Sequence, residues 1–195
     1  MKNNVALVTC VVCFVLLPLT FYAGCEEPAT TGEVDKLVSP SFEIGKKAAQ
    51  DYIANAVSDY ELVLELHELD AGGREHFLRG FAAAFGEAGR DREGTRYRSV
   101  LEESVRGSQF TTGRETGSKH AQKSTTNAQV QGLIQNSLGV SSGVALGWKA
   151  GYIKGFAAQR VTETAAGGVV SEEAVQGLYR EAAATYNAVR SAIGQ

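Results

Sequence analysis

Proline and cysteine are scarce in this chain of 195 residues, with three of each, and no proline follows Pro40. Average usage would place about eight prolines in the remaining stretch, so its absence disfavours β-rich folds, which need many turns. The formal net charge of −3 gives no reason to expect a nucleic-acid-binding protein. Glycine, in contrast, is abundant: 22 residues, well above the usual ~7%.

The first 24 residues have the pattern of an export signal. Lys2 is their only charged residue, and an uncharged, mostly apolar stretch runs from Val5 to Gly24. The segment Ala23-Gly24-Cys25 resembles the lipobox of bacterial lipoproteins. That resemblance implies a diacylglycerol on the thiol of Cys25, removal of residues 1–24 by signal peptidase II, and usually a further acyl chain such as palmitate on the new amine.

Two alternatives to the lipobox remain open at this stage. One is a secretory signal cut by the ordinary signal peptidase, and the other is an uncleaved anchor, because about 20 apolar residues can span a bilayer. Cys10 and Cys13 lie within the apolar stretch in every case. Removal of residues 1–24 would leave Cys25 as the only cysteine, so we expect no internal disulfide in the mature chain.

The resemblance also predicts a location, namely the bacterial cell envelope, with the protein held on a membrane and facing the periplasm or the exterior. In enteric bacteria, an aspartate directly after the lipidated cysteine is the signal for retention in the inner membrane. In this chain the residue after Cys25 is Glu26, which does not resemble that signal. We therefore expect the outer membrane if the host is Gram-negative.

The remainder of the chain predicts an all-α domain. Residues 25–39 are polar and suggest a flexible tether after the lipidated N-terminus. The apolar spacing in residues 40–195 is helical and predicts a bundle of about five helices. Their predicted ranges are 40–68, 74–88, 96–124, 127–164 and about 171–193.

A short pattern, an aromatic residue followed three positions later by glycine, recurs along the domain. It begins at Phe42, Phe77, Phe110 and Tyr152, and the closest pair of segments is 77–83 (FLRGFAA) and 152–158 (YIKGFAA). Two duplicated helical hairpins followed by a C-terminal helix would explain the pattern, with a seven-residue insertion in the second copy. Chance recurrence of so short a pattern is the alternative.

The fourth predicted helix carries a glycine at every fourth position, which places the glycines in one stripe along the helix. Large side chains follow the later glycines, and the second predicted helix has a similar small stripe beside phenylalanines. The residues predicted to serve helix packing or assembly are Gly139, Gly143, Gly147, Gly151, Gly155, Trp148, Tyr152, Phe156, Gly80, Phe77, Phe81 and Phe85.

Two interpretations of the glycine stripe compete. In the first, the stripe packs inside its own bundle, for example against the second predicted helix, because small residues allow close helix approach. In the second, it is a glycine zipper that mediates self-association or membrane insertion. Lys149 and Lys154 make the segment too polar for an ordinary membrane span.

No catalytic or metal-ligating arrangement is recognisable in the sequence. Histidine pairs with zinc-ligand spacing, phosphate-binding loops and nucleophile elbows are missing. Glu61 or Glu65 could serve as the acid of a cell-wall hydrolase, but no second carboxylate is paired with it. We therefore expect no enzyme and no cofactor other than the covalent lipid.

The leading functional hypothesis is an envelope protein that is anchored to a membrane by lipid and acts through an envelope protein partner or through self-association. A membrane-perturbing or exclusion-type glycine-zipper protein is the alternative, and a cell-wall hydrolase is a distant third.

The lipoprotein hypothesis predicts a defined mature N-terminus. Mass spectrometry of the protein purified from bacterial membranes should find a chain that begins at Cys25 and carries diacylglycerol. A mature chain that begins at another residue, or one that retains residues 1–24, would contradict the assignment.

Overall fold

The computed structural model describes residues 39–166 and 168–193. The export signal, Cys25 and the predicted tether up to residue 38 lie outside the described residues. Within the described ranges the chain folds into eight α-helices without a strand, which confirms the all-α class. The helices are α1 Pro40–Ile53, α2 Asp59–Glu68, α3 Ala71–Glu87, α4 Asp91–Ser104, α5 Gln109–Ala121, α6 Asn127–Leu138, α7 Ser142–Ala165 and α8 Glu172–Ser191.

The prediction of about five helices is wrong because three of the predicted helices are each divided in two. The first is interrupted after α1, where Asn55 adopts a φ of 57°. The third is interrupted between α4 and α5, where Gly107 has a φ of 73°. The fourth is interrupted before α7, where the extended Ser141 caps the new helix by accepting a hydrogen bond from the Val144 N–H.

The other two predicted helices persist with altered starts. The carboxylate of Asp70 accepts the Gly73 N–H at 2.6 Å, so residues 71–73, predicted as a break, form the first turn of α3. The predicted break at 89–95 is mostly the first turn of α4. The Oγ of Ser171 accepts the Ala174 N–H and caps α8, close to the predicted start at about residue 171.

Three helices end in the same hydrogen-bonded turn. After α1, α3 and α5, a residue with positive φ donates its N–H to a carbonyl three residues back, and the next N–H bonds a carbonyl five residues back. This is the Schellman motif, in which glycine is the favoured residue. The residues with positive φ are Asn55, Gly89 and Lys123.

Helix α7 occupies the centre of the domain. It packs against α2, α4, α5, α6 and α8, whereas α1 packs along α3 and α3 also contacts α4. Trp148, Tyr152 and Ile153 of α7 are almost completely buried. Two ion pairs join α2 to α7. Lys149 is bonded to Asp59 at 2.8 Å, and Lys154 is bonded to Glu68.

Helix α1 packs on α3 as α5 packs on α7, whereas α2 packs on α7 rather than on α3. Features of α1, its terminal turn and the cap of α2 recur 68 residues later, in α5 and the cap of α6. The corresponding pairs are Phe42 and Phe110, Gly45 and Gly113, Asn55 and Lys123, Ser58 and Thr126, and Glu61 and Gln129. The last two pairs form equivalent capping boxes at the starts of α2 and α6.

The third Schellman turn gives a prediction for stability. Lys123 is an exposed lysine at φ 59°, a conformation that strains residues with a Cβ, so Lys123→Gly should raise the free energy of unfolding by up to about 1 kcal/mol. Lys119→Gly, inside α5, removes the same charge and should lower it by about 1 kcal/mol. Urea unfolding curves compare the variants, and an equal loss in both would contradict the motif.

Candidate functional site

Four of the five stripe glycines pack within the domain. A Cβ added to Gly147 would lie 2.3 Å from a backbone carbonyl oxygen of α4. A Cβ added to Gly151 or Gly155 would lie 2.0 or 1.9 Å, respectively, from a backbone carbonyl oxygen of α5. The same atom on Gly143 would lie 2.5 Å from the Glu103 side chain. Gly139 differs, because it follows the end of α6 and is exposed. The stripe therefore seats α7 on α4 and α5.

The contact between α5 and α7 is reciprocal. Gly151 faces the carbonyl of Phe110, while Gly113 faces the carbonyl of Trp148 at 2.1 Å from its added Cβ. One turn later, Gly155 faces Arg114 and Gly117 faces Tyr152 in the same way. Contacts four residues further along α5 are made with residues four further along α7, so the two helices are parallel.

Helices α1 and α3 meet in the same manner. An added Cβ on Gly45 would lie 2.0 Å from the Phe77 carbonyl oxygen, and one on Gly80 would lie 1.9 Å from that of Phe42. The aromatic-x-x-Gly pattern is thus a contact motif: in the segments that begin at Phe42, Phe77, Phe110 and Trp148, the glycine touches the carbonyl of the partner helix's aromatic residue. The segment that begins at Tyr152 differs, because its Gly155 touches the carbonyl of Arg114.

The contacts correct two details of the sequence analysis. The stripe of α7 packs on α4 and α5, not on the second predicted helix, which is α3. The counterpart of Phe77 in the contact is Trp148, 71 residues later, so pairing Phe77 with Tyr152 is out of register by one helical turn. In this register Glu87, the last residue of α3, corresponds to Ala158, and α7 continues for seven residues beyond it.

The large residues beside the glycines are also buried. Trp148 and Tyr152 pack around Tyr186 of α8, with ring centroids 6.1 and 5.6 Å away, and Phe156 lies against Tyr152. A hydrogen bond joins the Tyr152 hydroxyl to His120, and burial raises the pKa of Tyr152. In α3, Phe77, Phe81 and Phe85 are completely buried in a second aromatic cluster that includes Tyr52 and Tyr97.

The two glutamates considered for hydrolysis lie in a groove between α1 and α2. Glu61 is held by the capping box, where it accepts the Ser58 N–H at 2.7 Å. Burial raises the pKa of the neighbouring Glu65. Asp51, the other carboxylate of the groove, is bonded to Lys47 at 2.6 Å. Two of the three carboxylates therefore have structural partners.

His67 lies near the end of α2 with its ring largely covered. The ring stacks on Phe110 with centroids 3.6 Å apart, and its buried Nε2 has no hydrogen-bond partner among the described residues. Burial, with Arg74 and Lys154 nearby, lowers the pKa of His67 to about 4. Over the described ranges, His, Cys, Asp and Glu side chains form no group of three or more that could hold a metal ion.

A groove of about 680 Å³ lies between α5 and α7, and apart from Gly155 its lining residues were not selected by the sequence analysis. Polar side chains line it, with Arg114 and Ser118 on α5 and Gln159 and Thr162 on α7. Gln159 accepts hydrogen bonds from Gln122 at 2.8 Å and from Ser118. Only a residue-by-residue alignment of the two repeats would have drawn attention to this surface.

In the part of the chain that the structure describes, every helix is too short or too polar to cross a bilayer. No protein-family model matches the chain, and neither a curated protein nor a solved structure shows significant similarity to it.

The contact motif predicts opposite effects for one substitution at two helical glycines. Gly151→Ala should lower the free energy of unfolding by about 1–3 kcal/mol, because the new methyl group overlaps the Phe110 carbonyl and forces the helices apart. Gly177→Ala in α8 meets no atom within 4 Å and should raise it by about 0.5–1 kcal/mol. Thermal unfolding measures both changes, and a stabilised Gly151→Ala variant would refute the contact.

Proposed function

We propose that this protein is a lipoprotein of the bacterial cell envelope whose helical domain acts by binding another protein. The resemblance of Ala23-Gly24-Cys25 to a lipobox supports the anchor. Two or more acyl chains on Cys25 would hold the protein on the membrane without a spanning helix, since each buried CH₂ contributes about 0.8 kcal/mol. The tether would give the domain freedom to reach a partner.

The observation that carries a binding role is the internal use of the glycine stripe. Gly147, Gly151 and Gly155 fix α7 against α4 and α5, so the stripe contributes to the rigidity of the domain and is not available to a partner. A rigid domain with an open polar groove suits recognition, because little conformational entropy is lost on binding. We place the binding surface outside the contacts that Gly147 and Gly151 make with α4 and α5, in the neighbouring groove whose lining includes Gly155.

The matched contacts and caps of the two halves also support an internal duplication. We propose that the repeated unit comprises at least three helices, α1–α3 and α5–α7. The hairpin proposed from sequence alone covers nearly the same residues but counts two helices, because it joined α1 to α2 across the turn at Asn55.

The glycine-zipper alternative would require α7 to leave α5 and expose its stripe to lipid. The two functions therefore differ in their effect on vesicles. The protein, added to dye-loaded vesicles of phosphatidylethanolamine and phosphatidylglycerol, should release no dye, because the stripe remains covered. Dye release that Gly151→Leu abolishes would favour the zipper.

A binding role further predicts a partner in the envelope. Cross-linking in intact cells, followed by purification of the protein, should yield the same cross-linked protein from independent cultures. Cys25→Ala should reduce that yield, because it removes the anchor and leaves the described domain unchanged. Cells that yield neither a cross-linked partner nor a self-linked oligomer would contradict the proposal.

A further inference from the structure

We infer that the groove between α5 and α7 binds an acidic peptide segment of a partner protein. This inference rests on the proposed binding function and assigns that function to one surface. Its support comes from a comparison of the two repeats, from the charges around the groove and from the side chains that line it.

In the first repeat, an ion pair crosses the corresponding position. Lys46 of α1 is bonded to Glu87 at the end of α3, with 2.6 Å between Nζ and Oε1. The equivalent residues of the second repeat are Arg114 and Ala158. The cation is therefore retained while its carboxylate partner is replaced by a methyl group. This difference leaves the guanidinium of Arg114 at an open groove.

The same end of α7 is also longer than its counterpart. Helix α3 ends at Glu87, whereas α7 continues past Ala158 to Ala165. The added turns contribute Gln159 and Thr162 to the wall of the groove. Loss of the ion pair and extension of the helix thus occur together at one place, and both make the groove larger.

The charges around the groove favour an anionic ligand. Within the described ranges, Arg114, Lys119 and Lys123 form no ion pair, although most other cations of α1–α7 do. Glu115 is an acidic residue of the lining without such a partner. Glu163, nearby, is bonded to Arg160 at 2.8 Å. The groove therefore carries an excess of positive charge in a chain whose net charge is negative.

The lining favours a peptide over other anions. The guanidinium of Arg114 can bind a carboxylate through two parallel hydrogen bonds. The amide oxygen of Gln122 can accept a hydrogen bond from a peptide N–H, and the second N–H of each of the Gln122 and Gln159 amides can donate to a peptide carbonyl. Among the described residues no aromatic side chain lines the groove, so these residues offer sugar rings and nucleobases no surface for stacking. Its volume lies within the range of ordinary ligand pockets.

Restoration of the missing carboxylate provides a direct test. Fluorescein-labelled octaglutamate is titrated with the full chain in detergent micelles, and fluorescence anisotropy measures the dissociation constant. Ala158→Glu should weaken binding about tenfold or more, because the new carboxylate pairs with Arg114 as Glu87 pairs with Lys46. Arg114→Gln should weaken it similarly without adding a side chain to the groove.

Ala184→Glu is the matched control. It makes the same substitution at an exposed position of α8, outside the groove, and should change the dissociation constant less than about twofold. Circular dichroism verifies that each variant remains folded. Equal weakening by Ala158→Glu and Ala184→Glu would show that only net charge matters and would overturn the inference.

Two further outcomes would also overturn it. One is the absence of saturable octaglutamate binding, and the other is a preference for polygalacturonate, an acidic glycan, over octaglutamate. The proposed binding function has a separate test, because the envelope cross-linking can be repeated with Ala158→Glu. Capture of the same partner by that variant would show that the groove is not the binding surface, and it would remain consistent with the proposed binding function.

Discussion

The approach of glycine Cα atoms to carbonyl oxygens of a neighbouring helix determines the architecture of this domain. At Gly45, Gly80, Gly113 and Gly151 the space of a side chain is occupied by the backbone of the partner helix. An interior glycine costs about 1 kcal/mol relative to alanine in helix propensity. Close packing and Cα–H···O contacts, each contributing about 0.5–1 kcal/mol, offset that cost. These glycines are therefore found at positions where the backbones of two helices are in contact.

This contact also explains how the aromatic residues are buried. Each aromatic residue of the contact motif precedes a glycine by three positions, so its carbonyl meets the opposite glycine. The side chains of Phe77, Phe110 and Trp148 are buried in the core, whereas that of Phe42 is half-buried. Phe77 and Trp148 have equivalent positions in the two clusters. Because α7 also packs against α2 of the first repeat and against α4, which follows that repeat, the two halves share one core and form a single domain.

The sequence predicted the helical class and the importance of the glycine spacing, because both depend on local periodicity. It did not predict the interruption at Asn55 or Ser141, since polar residues that tolerate a turn also occur inside helices. The partner of the stripe depends on contacts between residues far apart in the chain, such as Gly155 and Arg114. The groove was not predicted for a related reason. It is recognised only by comparing the ion pair of the first repeat with the equivalent positions of the second repeat, where that pair is absent.

The position of α2 has a consequence for the order in which the chain can fold. Asp59 of α2 is bonded to Lys149, 90 residues later, and α2 packs mainly on α7. A chain that emerges from its N-terminus exposes Leu62, Val63 and Leu66 long before α7 appears. Synthesis or transport must therefore be nearly complete before this apolar face is covered. Until then the face of α2 remains accessible to a chaperone that binds nascent chains.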